Sequence, residues 1–412
     1  MVYFMPMNND FNFHKNRPSL LHSNIPFGVA IFIMLFLSGI VIWGTLDKAK
    51  NILEQNSHPA VFIEGSKANV MPEVKAEAEW NFVPGPISMS LIKNNGCVAD
   101  GFLSGYGGKT TEMIKMINRS NCVYLHRALE TWLRPPDFDK AVEIMRNVDK
   151  KQVVYGMFIA EAASMQKTYR DPIKDKKYHF SEMCREGTEN QWGNGTCVPS
   201  IQNVEYRRYL QAVTHRAIDT GIQSFLFGQI KLQDEHPNFE ETEIKKVLDD
   251  MRRYAKEKNV EVIIGAQTDD IVDEKYLRLF DYIEGGVGID SQGQVENQAC
   301  SSKFSSCWAL LWDKQYSSRA NNVLLHLDWS GFTWDDMSIF AKMPQDRRIS
   351  TLTDLYQKFT VQNMGFMMPF LAVLNHDNEG CYGPNKNFYT PSQKYKCKDE
   401  GAINKIMPKL AP

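Results

Sequence analysis

The sequence predicts an α/β fold, a (β/α)8 barrel, and three observations carry that prediction. From Cys97 onward, stretches with strand character alternate with stretches of helical character, the pattern of a parallel sheet. Eight such units occupy about 315 residues, the arithmetic of a closed barrel, with a doubly wound open sheet as the alternative. Third, polar residues of one parity recur near the strand ends. The plainest case is NNVLLHLDWSG at 321–331, where His326 and Asp328 share one face and Leu325 and Leu327 the other. A parallel strand covered by helices should read as a nearly unbroken apolar run, so those polar residues ask for a function.

In order, the expected strands are 98–105, 123–130, 153–161, 224–232, 260–267, 282–289, 323–328 and 366–374. The helices expected between and after them are 109–118, 137–148, 204–220, 240–258, 273–280, 305–318, 335–364 (in two pieces) and 400–407. A long insertion, to about residue 200, follows the third strand.

Ahead of the barrel, the sequence divides into three. Residues 1–24 are polar and Asn-rich, expected to be a cytoplasmic tail. Residues 25–46, IPFGVAIFIMLFLSGIVIWGTL, contain no charge and are long enough to span a bilayer. They are apolar on all sides, unlike an amphipathic core helix, and no small-x-small cleavage site follows. Residues 47–96 hold prolines and a charged run, the features of a stalk. The barrel domain is then 97–412.

Eight cysteines, Cys97, Cys122, Cys184, Cys197, Cys300, Cys307, Cys381 and Cys397, all follow the apolar run. An even count with close pairs fits disulfides made in an oxidising compartment. Cys97 and Cys122 precede the first two strands. Cys184 and Cys197 staple the insertion, Cys300 and Cys307 the loop after the sixth strand, and Cys381 and Cys397 the loop after the eighth. The expected location is a single-pass membrane protein with its barrel outside the cytoplasm, at the cell surface, in a periplasm or in the secretory-pathway lumen. No C-x-x-C, H-E-x-x-H or H-x-H occurs, so no metal or cofactor is expected. A net charge of −2 carries no polyanion signature, and nucleic acid is not an expected partner.

Strand parity nominates the site. Strand 2 presents His126 and Glu130, strand 3 Tyr155 and Glu161, and strand 4 Gln229 and Lys231. Strand 5 presents Gln267, followed by Asp269; strand 6 presents Tyr282 and Glu284; strand 7 presents His326 and Asp328, followed by Trp329. Strand 8 runs out into Asn375 and His376. Arg127 is a charged exception on the apolar parity. Buried carboxylates, imidazoles and an ammonium crowded into one barrel mouth are costly unless paired, and such clusters are where pKa values are tuned. Hydrolysis of a glycosidic bond needs one carboxylic acid and a second carboxylate. Trp132, Trp192, Trp329 and Trp334 follow barrel strands, where flat rings can stack on sugars.

In this arrangement the chain resembles the TIM-barrel glycoside hydrolases over residues 97–407. The resemblance implies cleavage of a polysaccharide or glycan at the C-terminal mouth, and the strand ends make Glu161 and Asp328 the expected essential carboxylates, with Glu284 third. Glu130, Tyr155, Gln229, Lys231, Gln267, Asp269, Tyr282, His326, Trp329 and His376 would bind substrate. Two other readings stand beside it: a carbohydrate-binding barrel without catalysis, and a lyase forming a Schiff base on Lys231. A phosphate-cradling loop at SGYGGKTT, 104–111, fails on spacing, because position 103 is Leu.

Overall fold

The computed structural model describes residues 82, 84–150, 152–235, 243–296, 311–329, 335–374 and 379–409. The expected tail and membrane anchor, most of the stalk, His376, Trp334 and the Cys300–Cys307 pair lie outside the described residues. Among the described residues no helix is long and apolar enough to cross a membrane.

The barrel strands are β1 Gly96–Ala99, β2 Tyr124–Glu130, β3 Val154–Ile159, β4 Ile222–Phe227, β5 Ile263–Ala266, β6 Tyr282–Gly286 and β7 Val323–His326. The last, β8, comprises Gly365–Phe366 and Met368–Val373. Each strand pairs in parallel with the next, from β1 through β7. The first part of β8 pairs with β7 and the second with β1, both in parallel. Because 365–373 is continuous, the ring closes on itself. Closure removes both sheet edges. It also points every strand's C-terminal end at one mouth.

The helices pack outside the ring for ordinary reasons. Glu243–Glu257 buries Ile244, Val247, Leu248, Met251 and Ala255, one stripe at helical spacing. Val204–Thr220 ends where Gly221 adopts a left-handed conformation, φ 100°. Phe82 lies against that glycine. The helix Met89–Asn95 sits under the barrel, with Ile92 fully buried, the Lys93 ammonium on Asn363, and the Asn94 carbonyl accepting from Tyr356. Residues 84–95, expected in the stalk, therefore floor the barrel.

Inside the ring, β2, β4 and β6 contribute a tier of hydroxyls. Ser224 Oγ donates to Tyr124 Oη at 3.0 Å, and Tyr282 Oη lies 3.4 Å from each. Two large rings fit there because glycine faces them. A Cβ on Gly265 would come within 2.3 Å of the Tyr282 ring.

Three of the four expected disulfides fall within the described residues and form as read. Cys97–Cys122, Cys184–Cys197 and Cys381–Cys397 have Cα separations of 5.7, 5.7 and 4.8 Å. The insertion after β3 carries two short antiparallel ribbons, Ala163–Ser164 with Thr196–Cys197 and Tyr169–Arg170 with Lys177–Tyr178.

Several strands are shorter than the sequence implies. β1 stops at Ala99 because Gly101 and Gly105 take left-handed conformations around a short 3-10 turn. β4 stops at Phe227, and Gln229, at φ 28°, opens the short helix Ile230–Gln233. Gly265→Ala is expected to lower unfolding stability by about 1–3 kcal/mol, the cost of overpacking a filled interior. Urea denaturation measures it, and an unchanged midpoint would show that the Tyr282 ring is not confined.

Candidate active site at the barrel mouth

The mouth is organised by Glu284, near the end of β6 and 1% exposed. Gln267 Nε2 donates to its Oε1 at 2.7 Å, and His326 Nε2 approaches the same oxygen at 3.2 Å. His126 Nε2 lies 2.9 Å from Oε2. Burial by itself would push this carboxyl up, but the two imidazoles overcome it and hold Glu284 well below the usual range. Burial keeps His126 below its ordinary value despite Glu284. For His326, Glu284 and then Asp328 outweigh burial and hold the ring above it.

A hydrogen-bonded chain leads from Glu284 across the mouth. Gln267 Oε1 accepts from the backbone N–H of Gln229 at 3.2 Å, and Gln229 Nε2 donates to Glu161 Oε1 at 2.7 Å. Glu161 is 2% exposed and its pKa is raised by burial. Its Oε2 faces Gly228, and the Trp192 indole donates to its backbone carbonyl at 2.9 Å. Trp132 packs on Trp192, ring centroids 5.3 Å apart. Asp269 is pushed up to about 7, first by burial and then by the charge of Glu161.

The opposite side of the mouth is built by β1 and β2. A register shift between Leu125 and Leu129, with Arg127 at φ 54°, forms a bulge. It explains the parity exception. The bulge turns Arg127 inward beside His126, its guanidinium 3.7 Å above the Phe158 ring and 4.8 Å from Trp329, with Nε 3.3 Å from Asp100 Oδ1. Burial raises Asp100 against the pull of Arg127. Glu130, bonded by the Tyr106 hydroxyl, is raised to about 7 by burial and by Asp100.

Asp328 follows β7 close enough for its charge to act on His326. Its backbone is fixed by Asp336, which accepts the N–H groups of Asp328, Gly288 and Ile289 at 3.0, 3.0 and 2.9 Å. Trp329 is only 6% exposed and its ring lies 4.4 Å from His326. It forms an inner wall, with no open face for stacking.

The structure thus brings together Glu130, Glu161, Gln229, Gln267, Asp269, Glu284, His326, Asp328 and Trp329, with Tyr282 one tier beneath. Two nominated residues lie elsewhere. Tyr155 points outward, its ring 6.3 Å from Phe82 near the barrel floor, because the inward parity of β3 belongs to Gly156 and Phe158. Lys231 lies beyond the end of β4, half-exposed and paired with Asp270. That removes the buried ammonium on which the Schiff-base reading depended. Asp100 and Tyr106 join the mouth without having been nominated. The adjacent pair His126-Arg127, two polar residues in sequence on one strand, was the available sign of the bulge.

No family model matches the sequence, and no curated protein does. Solved structures similar to this chain include glycoside hydrolases. A GH113 β-1,4-mannanase is 11% identical, with 76% of this chain and 96% of that chain covered at a TM-score of 0.41. A GH27 β-L-arabinopyranosidase from Geobacillus stearothermophilus is 10% identical over 68% and 72%, at 0.37. A cyclic α-maltosyl-(1→6)-maltose hydrolase from Arthrobacter globiformis is 9% identical over 76% of each chain, at 0.41.

Two substitutions separate the mouth from its rim. Gln267→Ala strips a hydrogen bond from Glu284 and the acceptor from Gln229, with an expected loss of about 1–3 kcal/mol. Lys231→Met breaks an exposed pair and should cost under about 1 kcal/mol. Equal losses in chemical denaturation would contradict the assignment of Gln267 to the buried chain.

Proposed function

We propose that the chain is a glycoside hydrolase acting on a polysaccharide or glycan with two carboxyl groups at the barrel mouth. The observation that carries this reading is the division of the mouth into two electrostatic halves. On one side burial favours the uncharged form of Glu161, and Asp269 beside it is raised to about 7. On the other, Asp328 lies beside an imidazole whose own environment favours the cation. A carboxyl kept uncharged by burial on one side and a carboxylate next to an imidazole on the other suit separate acid and base or nucleophile roles. Glu161 is the proposed acid and Asp328 its counterpart. Glu284, whose Oε1 accepts from Gln267 and lies 3.2 Å from His326 while its Oε2 lies 2.9 Å from His126, is given the role of holding the site together and not that of the reacting group. Gln229 and Gln267 offer amides of the kind that bind sugar hydroxyls, and Trp132 and Trp192 offer ring faces at the rim. The uncharged run at 25–46 supports a membrane anchor, and the three disulfides support an extracytoplasmic barrel.

One observation favours the binding-only barrel as the second reading. Glu161 Oε2 is buried against Gly228, without a hydrogen-bond partner, and a carboxyl in that position reaches a glycosidic oxygen only if the Gln229 contact yields.

Reducing-end release by the full chain, purified in detergent, across a panel of polysaccharides and oligosaccharides tests the proposal. Glu161→Gln and Asp328→Asn should each lower kcat by about 10²–10⁴-fold with the thermal melt retained. Cleavage at the parental rate by both folded variants would remove these carboxyls from the mechanism. Absence of cleavage, with one glycan raising the melting temperature, would establish the binding-only barrel.

A further inference from the structure

His326 is held by two groups that can only accept. Its Nδ1 lies 3.0 Å from the Leu327 carbonyl oxygen, and its Nε2 lies 3.2 Å from Glu284 Oε1. A carbonyl and an ionised carboxylate have no proton to give. A neutral ring carries one N–H, so one of these contacts would set lone pair against lone pair. Two N–H groups satisfy both. His126, on the other side of Glu284, meets a different environment. Its Nδ1 lies 2.9 Å from the Tyr124 hydroxyl, which accepts from Ser224 and is free to donate onward to that nitrogen. The neutral Nε2–H tautomer therefore suits His126. The neutral ring is thus open to His126 and closed to His326.

Resting on the reading of Asp328 as the second carboxylate, we infer that His326 is a standing imidazolium that positions Asp328 and keeps it ionised for the reaction. Asp328 is two residues along the same chain from His326, and its backbone cannot drift, because Asp336 takes its N–H and its carbonyl accepts from Met337 at 2.8 Å. An imidazolium two residues from a carboxylate, on a backbone held by these bonds, favours the charged carboxylate. The Trp329 ring, centred 4.4 Å from His326, adds a face on which a cation is favoured over a neutral ring. The charged and titratable groups that act on this imidazole are Glu284 from β6, His126 from β2, Asp100 after β1, and Asp328 and Asp336 from its own side, with Arg127 beyond His126. Glu284 alone would be served by one cation between two imidazoles. Asp328 gives that cation a second partner, and His326 is the histidine on its side. His326 is a positioning residue in this account and need not touch substrate.

The test is nuclear magnetic resonance of the full chain labelled with 15N-histidine and with 13C at the aspartate carboxyl, signals assigned by their loss in His326→Gln and Asp328→Asn. Both His326 nitrogens should carry protons at pH 8, while His126 shows one protonated and one bare nitrogen. The Asp328 carboxyl should titrate about one pH unit higher in His326→Gln than in the parent. Where cleavage is found, the limb of kcat/KM that rises with pH should move up by the same amount. A His326 with one bare nitrogen at pH 8 overturns the inference. So does an Asp328 titration that does not move in a folded His326→Gln chain. Neither spectrum depends on turnover, so a chain that cleaves nothing would defeat the hydrolase proposal and leave this inference to be decided by its own signals.

Discussion

A carboxylate taken out of water costs several kcal/mol unless opposite charge and hydrogen-bond donors replace the lost solvent. Glu284 is buried in a barrel whose ring closes through β8, and the replacements come from three other strands or their ends: Gln267 after β5, His126 on β2 and His326 on β7. No single strand could supply them. The closed ring is what lets donors separated by up to about two hundred residues meet on one carboxyl. The rest of the mouth depends on that meeting. Gln267, oriented by Glu284, presents its oxygen to Gln229, which in turn holds Glu161. His326, oriented by the same carboxylate, sets the charge beside Asp328 and the wall made by Trp329. One buried glutamate thus reaches, through Gln267 and His326, toward both residues proposed to react.

The packing below this layer serves the same end. Tyr124 and Tyr282 fill the interior beneath Glu284, and glycines at 156 and 265 leave room for their rings. Their hydroxyls and that of Ser224 satisfy each other, so the floor of the mouth is polar without being charged. Local backbone departures then deliver side chains that a regular strand would send to the helices. Arg127 on β2, Gln229 after β4 and Asp269 after β5 all adopt positive φ without being glycine. Such conformations cost of order 1–3 kcal/mol each and persist where the surroundings over-determine them. All three lie at the mouth.

Much of this architecture was legible in the sequence because its signals are local. Strand and helix periods, the even cysteine count and the polar residues at strand ends each require only a few neighbouring residues. The misplacements share one physical cause. Parity sorts inside from outside only while the chain remains a strand, and three strands end or bulge before the residue in question. Lys231 was counted along a strand that stops at Phe227, and it emerges on the surface. Tyr155 and Glu161 were assigned one face, yet the strand ends at Ile159, so Glu161 turns into the mouth while Tyr155 stays outside. The bulge at Arg127 hid Asp100 as a member of the site, since its partner was unplaced. The protonation of the two histidines was beyond sequence reasoning altogether, because it depends on a hydroxyl 2.9 Å from one ring and a carbonyl 3.0 Å from the other.

The central claim is that an ionised, doubly clamped Glu284 holds the mouth together, and its most direct test is unfolding stability against pH for the parent and for Glu284→Gln. A folded-state pKa below the ordinary value of 4.5 stabilises the protein above 4.5, and that contribution disappears as pH falls through the depressed value. His326, raised above 6.5, contributes below 6.5 and loses its contribution as pH rises through its folded value. The parent should therefore exceed the variant by about 3–5 kcal/mol near pH 6, the cost of breaking a buried pair. The gap should narrow below pH 4.5 as carboxyls protonate and, more gently, at alkaline pH as His326 becomes neutral. A gap under about 1 kcal/mol at pH 6, or one that stays flat from pH 3 to pH 6, would contradict the account.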